Sequence, residues 1–96
     1  MCNAQKELIG HIKDRKVEFV SIAIRKGYDV APMRVKGTLE EVLPQLNFNY
    51  DNGYGGQELF GFIWYEDGTW SDRGEYDGSE WWQHQTRPDR NAEIEI

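Results

Sequence analysis

The chain has 96 residues, a formal charge of −6, and 39% hydrophobic and 14% aromatic content. That length suits one small domain with a ring-rich core, and the composition argues against disorder. No apolar run approaches the ~20 residues that span a bilayer, no basic-then-apolar leader opens the chain, and the lone Cys2 excludes an internal disulfide framework, so the expectation is a cytoplasmic protein that does not bind membrane.

"NAQKELIGHIKD" (3–14) reads as an amphipathic helix, with Asn3 as N-cap and Leu8, Ile9 and Ile12 as its apolar stripe. "KVEFVSIAIRKG" (16–27) switches to strand chemistry. Val20, Ile22 and Ile24 face one way and Val17, Phe19 and Ala23 the other, the pattern of an interior strand. "PMRVKG" (32–37) is a short alternating strand with Met33 and Val35 inward and Arg34 and Lys36 outward. "GTLEEVLPQL" (37–46) opens a second helix through a Thr38/Glu41 capping box, and Pro44 ends it.

"NFNYDNGYGGQE" (47–58) is a Gly- and Asn-rich loop. Asn47, Asn49, Asp51 and Glu58 fall at the spacing of a calcium loop. Asn47 and Asn52 stand where that loop needs Asp and Gly, and a strand follows where it needs a helix, so a plain loop is the better reading. Three strands come next, 58–66, 69–76 and 79–84, joined by two Asp-Gly turns. The fold expected is α+β: an antiparallel sheet of four or five strands, including the meander 58–84, with two short helices packed mainly on one face. Residues 1–86 form this single domain and 87–96 a polar C-terminal tail.

Two-residue turns at Asp67-Gly68 and Asp77-Gly78 would set Tyr65 opposite Trp70, Phe62 opposite Arg73, Gly74 opposite Trp81 and Glu75 opposite Glu80. The core face would then carry Ile63, Tyr65, Trp70, Tyr76 and Trp81, with Gly74 making room for Trp81. The second face would carry Phe62, Trp64, Glu66, Arg73, Glu75, Glu80, Trp82 and His84, partly exposed because two helices do not cover both sides. Glu75 opposite Glu80 breaks a pairing rule, relieved by Arg73, which can also stack on Trp82. The two aspartates themselves are turn formers.

Residues 51–80 hold eight carboxylates against Arg73 alone. Such a surface repels nucleic acid and attracts a basic protein. Trp64, Glu66, Arg73, Glu75, Glu80 and Trp82 are therefore the candidate partner-binding residues. A homodimer burying the same face is a further alternative. Catalytic signals are thin: Cys2, His11 and His84 lack zinc-ligand spacing, neither histidine adjoins a nucleophile in the sequence, and no phosphate loop is present. No metal or cofactor is implied. The rival from another class is a carbohydrate-binding or hydrolytic module, with tryptophans as sugar platforms and Glu75 and Glu80 as acid and base.

The segments "GTLEE" (37–41) and "RGEYDGSEWW" (73–82) are similar to small acidic proteins encoded by bacteriophages and prophages. The resemblance covers about a third of the chain and brings no catalytic residues. It implies a non-enzymatic inhibitor of a host nucleic-acid-handling or defence protein, of anti-CRISPR or anti-restriction type, acting on that protein's basic surface.

Overall fold

The computed structural model describes residues 2–25, 31–53 and 56–87. The fold is α+β, as expected, with seven strands in two antiparallel sheets among the described residues. The short strand β1 (Cys2–Asn3) leads directly into α1 (Ala4–Ile12), which begins where Asn3 Oδ1 accepts the Lys6 N–H at 3.0 Å. Ala4, Leu8 and Ile12 recur every fourth residue and are buried, while Ile9 lies round the helix in solvent.

The strands β2 (Val17–Ile24) and β3 (Met33–Gly37) pair antiparallel, followed by α2 (Leu39–Val42) and a 3₁₀ turn at Leu43–Leu46. The Thr38/Glu41 capping box forms in both directions, and Pro44 sits in the first turn of the 3₁₀ segment, so the α-helix ends before it. The strand β4 (Asn49–Tyr50) pairs with β1 inside what the sequence reads as loop. Then come β5 (Leu59–Tyr65), β6 (Trp70–Tyr76) and β7 (Ser79–Gln85). The main sheet runs β3-β2-β5-β6-β7, with β2 interior as its composition requires. Both helices lie on one face, over a core built from Leu8, Val20, Val42, Leu46, Leu59 and Ile63 among others. Among the described residues, no helix is long and apolar enough to cross a membrane. The tail at 88–96 lies outside the described residues.

The two Asp-Gly turns are not alike. Asp77 and Gly78 both take positive φ, 50° and 87°, and close a two-residue turn with Tyr76 opposite Ser79. At the first turn only Gly68 has positive φ (86°), and the Tyr65 N–H reaches the Thr69 carbonyl at 3.0 Å. The loop is therefore three residues, Glu66-Asp67-Gly68. Asp67 Oδ1 holds it by accepting the Thr69 N–H at 2.9 Å and the Thr69 hydroxyl. Trp64 consequently pairs with Trp70 and Phe62 with Asp72, one residue away from the expected register. Since side chains alternate, that one step turns β6 and β7 over relative to β5.

The expected core face is corrected accordingly. Ile63 and Tyr65 are buried, but Trp81 and Tyr76 are exposed on the opposite side, and Ser71, Arg73 and Trp82 point inward in their place. Gly74 does make room for Trp81: a Cβ there would lie 2.6 Å from the indole nitrogen.

Gly61 admits no side chain. Its φ is 154°, and a Cβ would stand 2.3 Å from the Ser21 carbonyl oxygen on the neighbouring strand. Gly61→Ala is expected to lower unfolding free energy by at least about 2 kcal/mol in urea melts, whereas Gly10→Ala, with open space around it, stays within about 0.5 kcal/mol or gains stability.

Candidate functional site

The six residues singled out from sequence do not share one surface. Arg73, Glu80 and Trp82 are buried beneath α1, while Trp64, Glu66 and Glu75 are exposed. The inward three form the polar centre of the fold. The Arg73 guanidinium, its side chain 2% exposed, donates to Glu80 Oε1, to Glu7 Oε1 at 3.2 Å and to the Tyr50 hydroxyl at 2.9 Å. It lies 4.9 Å from the Trp82 ring centroid, the stacking expected from sequence, but in the interior. The Tyr50 hydroxyl in turn donates to Glu7. Burial works against the Arg73 charge, yet Glu7, Tyr50 and Glu80 outweigh it and raise its pKa above the ordinary value. Burial, and then the bond to Glu7, pushes the Tyr50 phenol far upward.

Glu80 explains the broken pairing rule. It does stand opposite Glu75 in register. Its carboxylate, however, accepts the Glu58 and Leu59 N–H groups at 2.7 and 3.0 Å, so it closes the entry to β5. Glu75 stays in solvent and accepts the Gly78 N–H at 3.1 Å, bracing the turn. The pair is separated by environment: the Glu80 carboxylate is buried and the Glu75 carboxylate faces solvent at the turn. Glu80, 2% exposed and fully engaged, is not available as an acid or base toward a solvent-side substrate.

The histidines also differ from expectation. His11 is half-buried, its Nε2 2.7 Å from the Ser71 hydroxyl, and Ser71 also bonds the Tyr65 hydroxyl at 2.7 Å. Ser71 is 0% exposed, so this serine–histidine contact is a buried strut with no access for a substrate. His84 Nε2 lies 2.9 Å from the Thr69 hydroxyl beside the first turn. In the 47–58 segment, Asn47 and Asn49 both accept from the Asn3 amide at 3.2 Å, joining β4 to the start of α1. Among the described residues, no group of three or more His, Cys, Asp or Glu is placed to hold a metal ion.

The other side of the sheet is a different surface. Phe19, Phe60, Phe62, Trp64, Tyr76 and Trp81 stand on it with between 37% and 77% of each residue exposed. Phe62 and Trp64 stack at 5.7 Å and 28°, and Phe19 meets Trp64 at 5.8 Å. By strand register, the paired charged side chains of this face are Arg34 and Lys36 on β3 and Asp72 on β6, and the exposed Glu18 sits unpaired at the β2 bulge next to Phe19. Asp72 accepts from the Gln83 and Gln85 amides. The face is aromatic but not acidic. The exposed carboxylates Glu66, Asp67, Glu75 and Asp77 gather instead at the turns at opposite ends of β6. Sequence reasoning placed Trp70, Tyr76 and Trp81 in the core. The signal that could have moved them is Thr69 after Asp-Gly, an acceptor-donor pair that favours the three-residue loop.

No protein-family model, no curated protein and no solved structure matches this chain.

Removing Arg73 strands two carboxylates in the interior, so Arg73→Ala is expected to cost about 3–5 kcal/mol of unfolding free energy. Glu80→Gln should also be strongly destabilising, while Glu75→Gln stays within about 0.5 kcal/mol, and urea melts at neutral pH measure all three. A separate expectation concerns pH. Burial, then Arg15, His84, Arg73 and Lys13, hold His11 below its ordinary 6.5. The unfolded chain therefore takes up this proton first, and stability present above pH 6.5 declines as pH falls through that region. Hydrogen bonds from Thr38 and Thr69 lower the Glu41 and Asp67 carboxyls, so their contribution is lost only below ordinary values of 4.5 and 3.8. His11→Gln should flatten the upper window of the melting-temperature profile and leave the lower one.

Proposed function

We propose that this is a non-enzymatic binding protein whose contact surface is the open face of the five-stranded sheet. The observation that supports it is the set of exposed rings on a face with both helices on its other side. Monomeric proteins rarely leave contiguous apolar patches larger than a few hundred Å² in water, and aromatic residues dominate interface energetics. Trp64 belongs to the contact centre. Glu66 lies at one end of it and Glu75, on the helix side of β6 by register, lies near the other; with Asp67 and Asp77 they attract a basic protein. Arg73, Glu80 and Trp82 act from beneath, as the support that holds the hairpins.

Two things extend the reading toward a phage-encoded inhibitor acting in the bacterial cytoplasm on a host nucleic-acid-handling or defence protein. The resemblance at 37–41 and 73–82 is one. The other is the charge of −6, which favours a partner built to hold a polyanion. The second reading, a carbohydrate site, is supported by the near-parallel Phe62 and Trp64 rings, a platform on which a sugar can stack.

Capture from a bacterial lysate tests the first reading. The Glu66→Lys/Glu75→Lys variant should lose most capture and much of its salt sensitivity, with a melting temperature lowered by no more than the loss of the Glu75–Gly78 hydrogen bond, because both side chains are exposed. Unaltered capture by that variant and by Phe62→Lys would count against it. Tryptophan fluorescence during oligosaccharide titration serves the rival: a saturable change that Trp64→Ala abolishes would replace the protein partner with a sugar.

A further inference from the structure

We infer that the occupant of the open face in the free protein is a second copy of the same chain, packed sheet on sheet about a two-fold axis parallel to β5. This rests on the reading of that face as the contact surface and names what covers it.

The geometry of the sheet carries the inference. The strand β5 is the middle of five, with β2 and β3 on one side and β6 and β7 on the other. A two-fold along β5 therefore lays β3 over β7 of the second copy and β2 over β6. On the axis the spine Phe60, Phe62 and Trp64 meets itself. Off the axis the chemistry is complementary row by row. Phe62 shares a cross-strand row with Ser21 and Lys36 on one side and Asp72 and Gln83 on the other. The axis sets Ser21 facing Asp72 of the second copy and Lys36 facing its Gln83, a donor or acceptor for each. One row along, Arg34 lies beside Ala23, and continuing the β5–β6 register puts Phe60 beside Gly74 and Trp81. Arg34 then faces Trp81 of the second copy, a cation over an indole, and Ala23 faces Gly74, over which that same indole lies. In the third row Phe19 faces Trp70.

The alternative two-fold, across the strands, fails on charge. It sets β3 on β3, with Arg34 and Lys36 against their own copies, and Asp72 near its own. Like charges meet in both places. The self-complementary arrangement is that of an isologous interface, in which each contact occurs twice. Its size is also adequate. Five strands about 4.8 Å apart, of five to eight residues, present roughly 500 Å² in projection. The protruding rings raise the accessible area toward the ~800 Å² per partner of a standard interface.

Light scattering on the full chain from about 1 µM to 1 mM tests this. The mass should rise from 11.3 kDa toward twice that value. Phe62→Lys, at the axis, should remain a single chain at every concentration and melt at the temperature of the dilute, monomeric wild type, since Phe62 is 47% exposed. Arg34→Glu, at the edge, should weaken association about tenfold, which keeps the test decisive even if the first variant folds poorly. A wild type that stays monomeric throughout, or a dimer indifferent to both substitutions, overturns the inference. If the wild type is monomeric but Phe62→Lys loses lysate capture, the dimer fails and the contact-face reading stands. If the dimer forms as described while that variant keeps full capture, the dimer stands and the partner-binding reading fails.

Discussion

The Arg73 guanidinium ties together more of this small protein than any other single group. It reaches Glu7 on α1, Tyr50 on β4 and Glu80 on β7 from its own place on β6. Glu80 carries the connection on to the two N–H groups that open β5. A chain of 96 residues has little apolar area to bury, and here a charged cluster fills the space under the first helix. Such clusters are costly to desolvate and more costly to break, so they select one arrangement of the elements around them. The helix position, the β4 pairing and the hairpin orientation are all read by the same side chain.

That arrangement is possible only because the first hairpin closes with three residues. In the two-residue turn Arg73 would point outward, away from Glu7, and Trp70 would point into the core. Asp67 decides the matter locally by capturing both polar hydrogens of Thr69, and Gly68 supplies the positive φ. Asp77, with Ser79 after it, has no such hold and adopts positive φ itself. The same dipeptide thus makes two different turns ten residues apart.

The cost of burying Arg73 and Trp82 is an outer face with more rings than a solvated surface normally keeps. Trp64, Trp81 and Tyr76 are placed outside by alternation once the inner positions are committed. An open aromatic sheet with charged turns at its ends is the feature on which the proposed binding role rests. Beneath the first helix, Glu7, Tyr50, Arg73 and Glu80 are engaged with one another, while Arg73 Nε and the Trp82 indole nitrogen are buried without a hydrogen-bond partner.

The sequence by itself determined the two helices and the five strands of the main sheet, their order and most of their ends, and missed β1, β4 and the 3₁₀ turn. Caps at Asn3 and Thr38, Pro44, the glycines and the β-branched and aromatic runs in 17–24 and 59–65 are local signals, and local signals survive without knowledge of the rest. The expected opposition of Glu75 and Glu80 also holds, because Asp77 and Gly78 close the second turn with two residues. Only the tertiary structure decided which face each ring of β6 and β7 occupies. A single residue added to one loop inverts every side chain that follows, and the two loops are equally compatible with Asp-Gly. The roles of Arg73, Glu80 and Trp82 were decided there too. Their partners Glu7 and Tyr50 lie 66 and 23 residues from Arg73. No pattern within the meander announces a carboxylate arriving from the first helix.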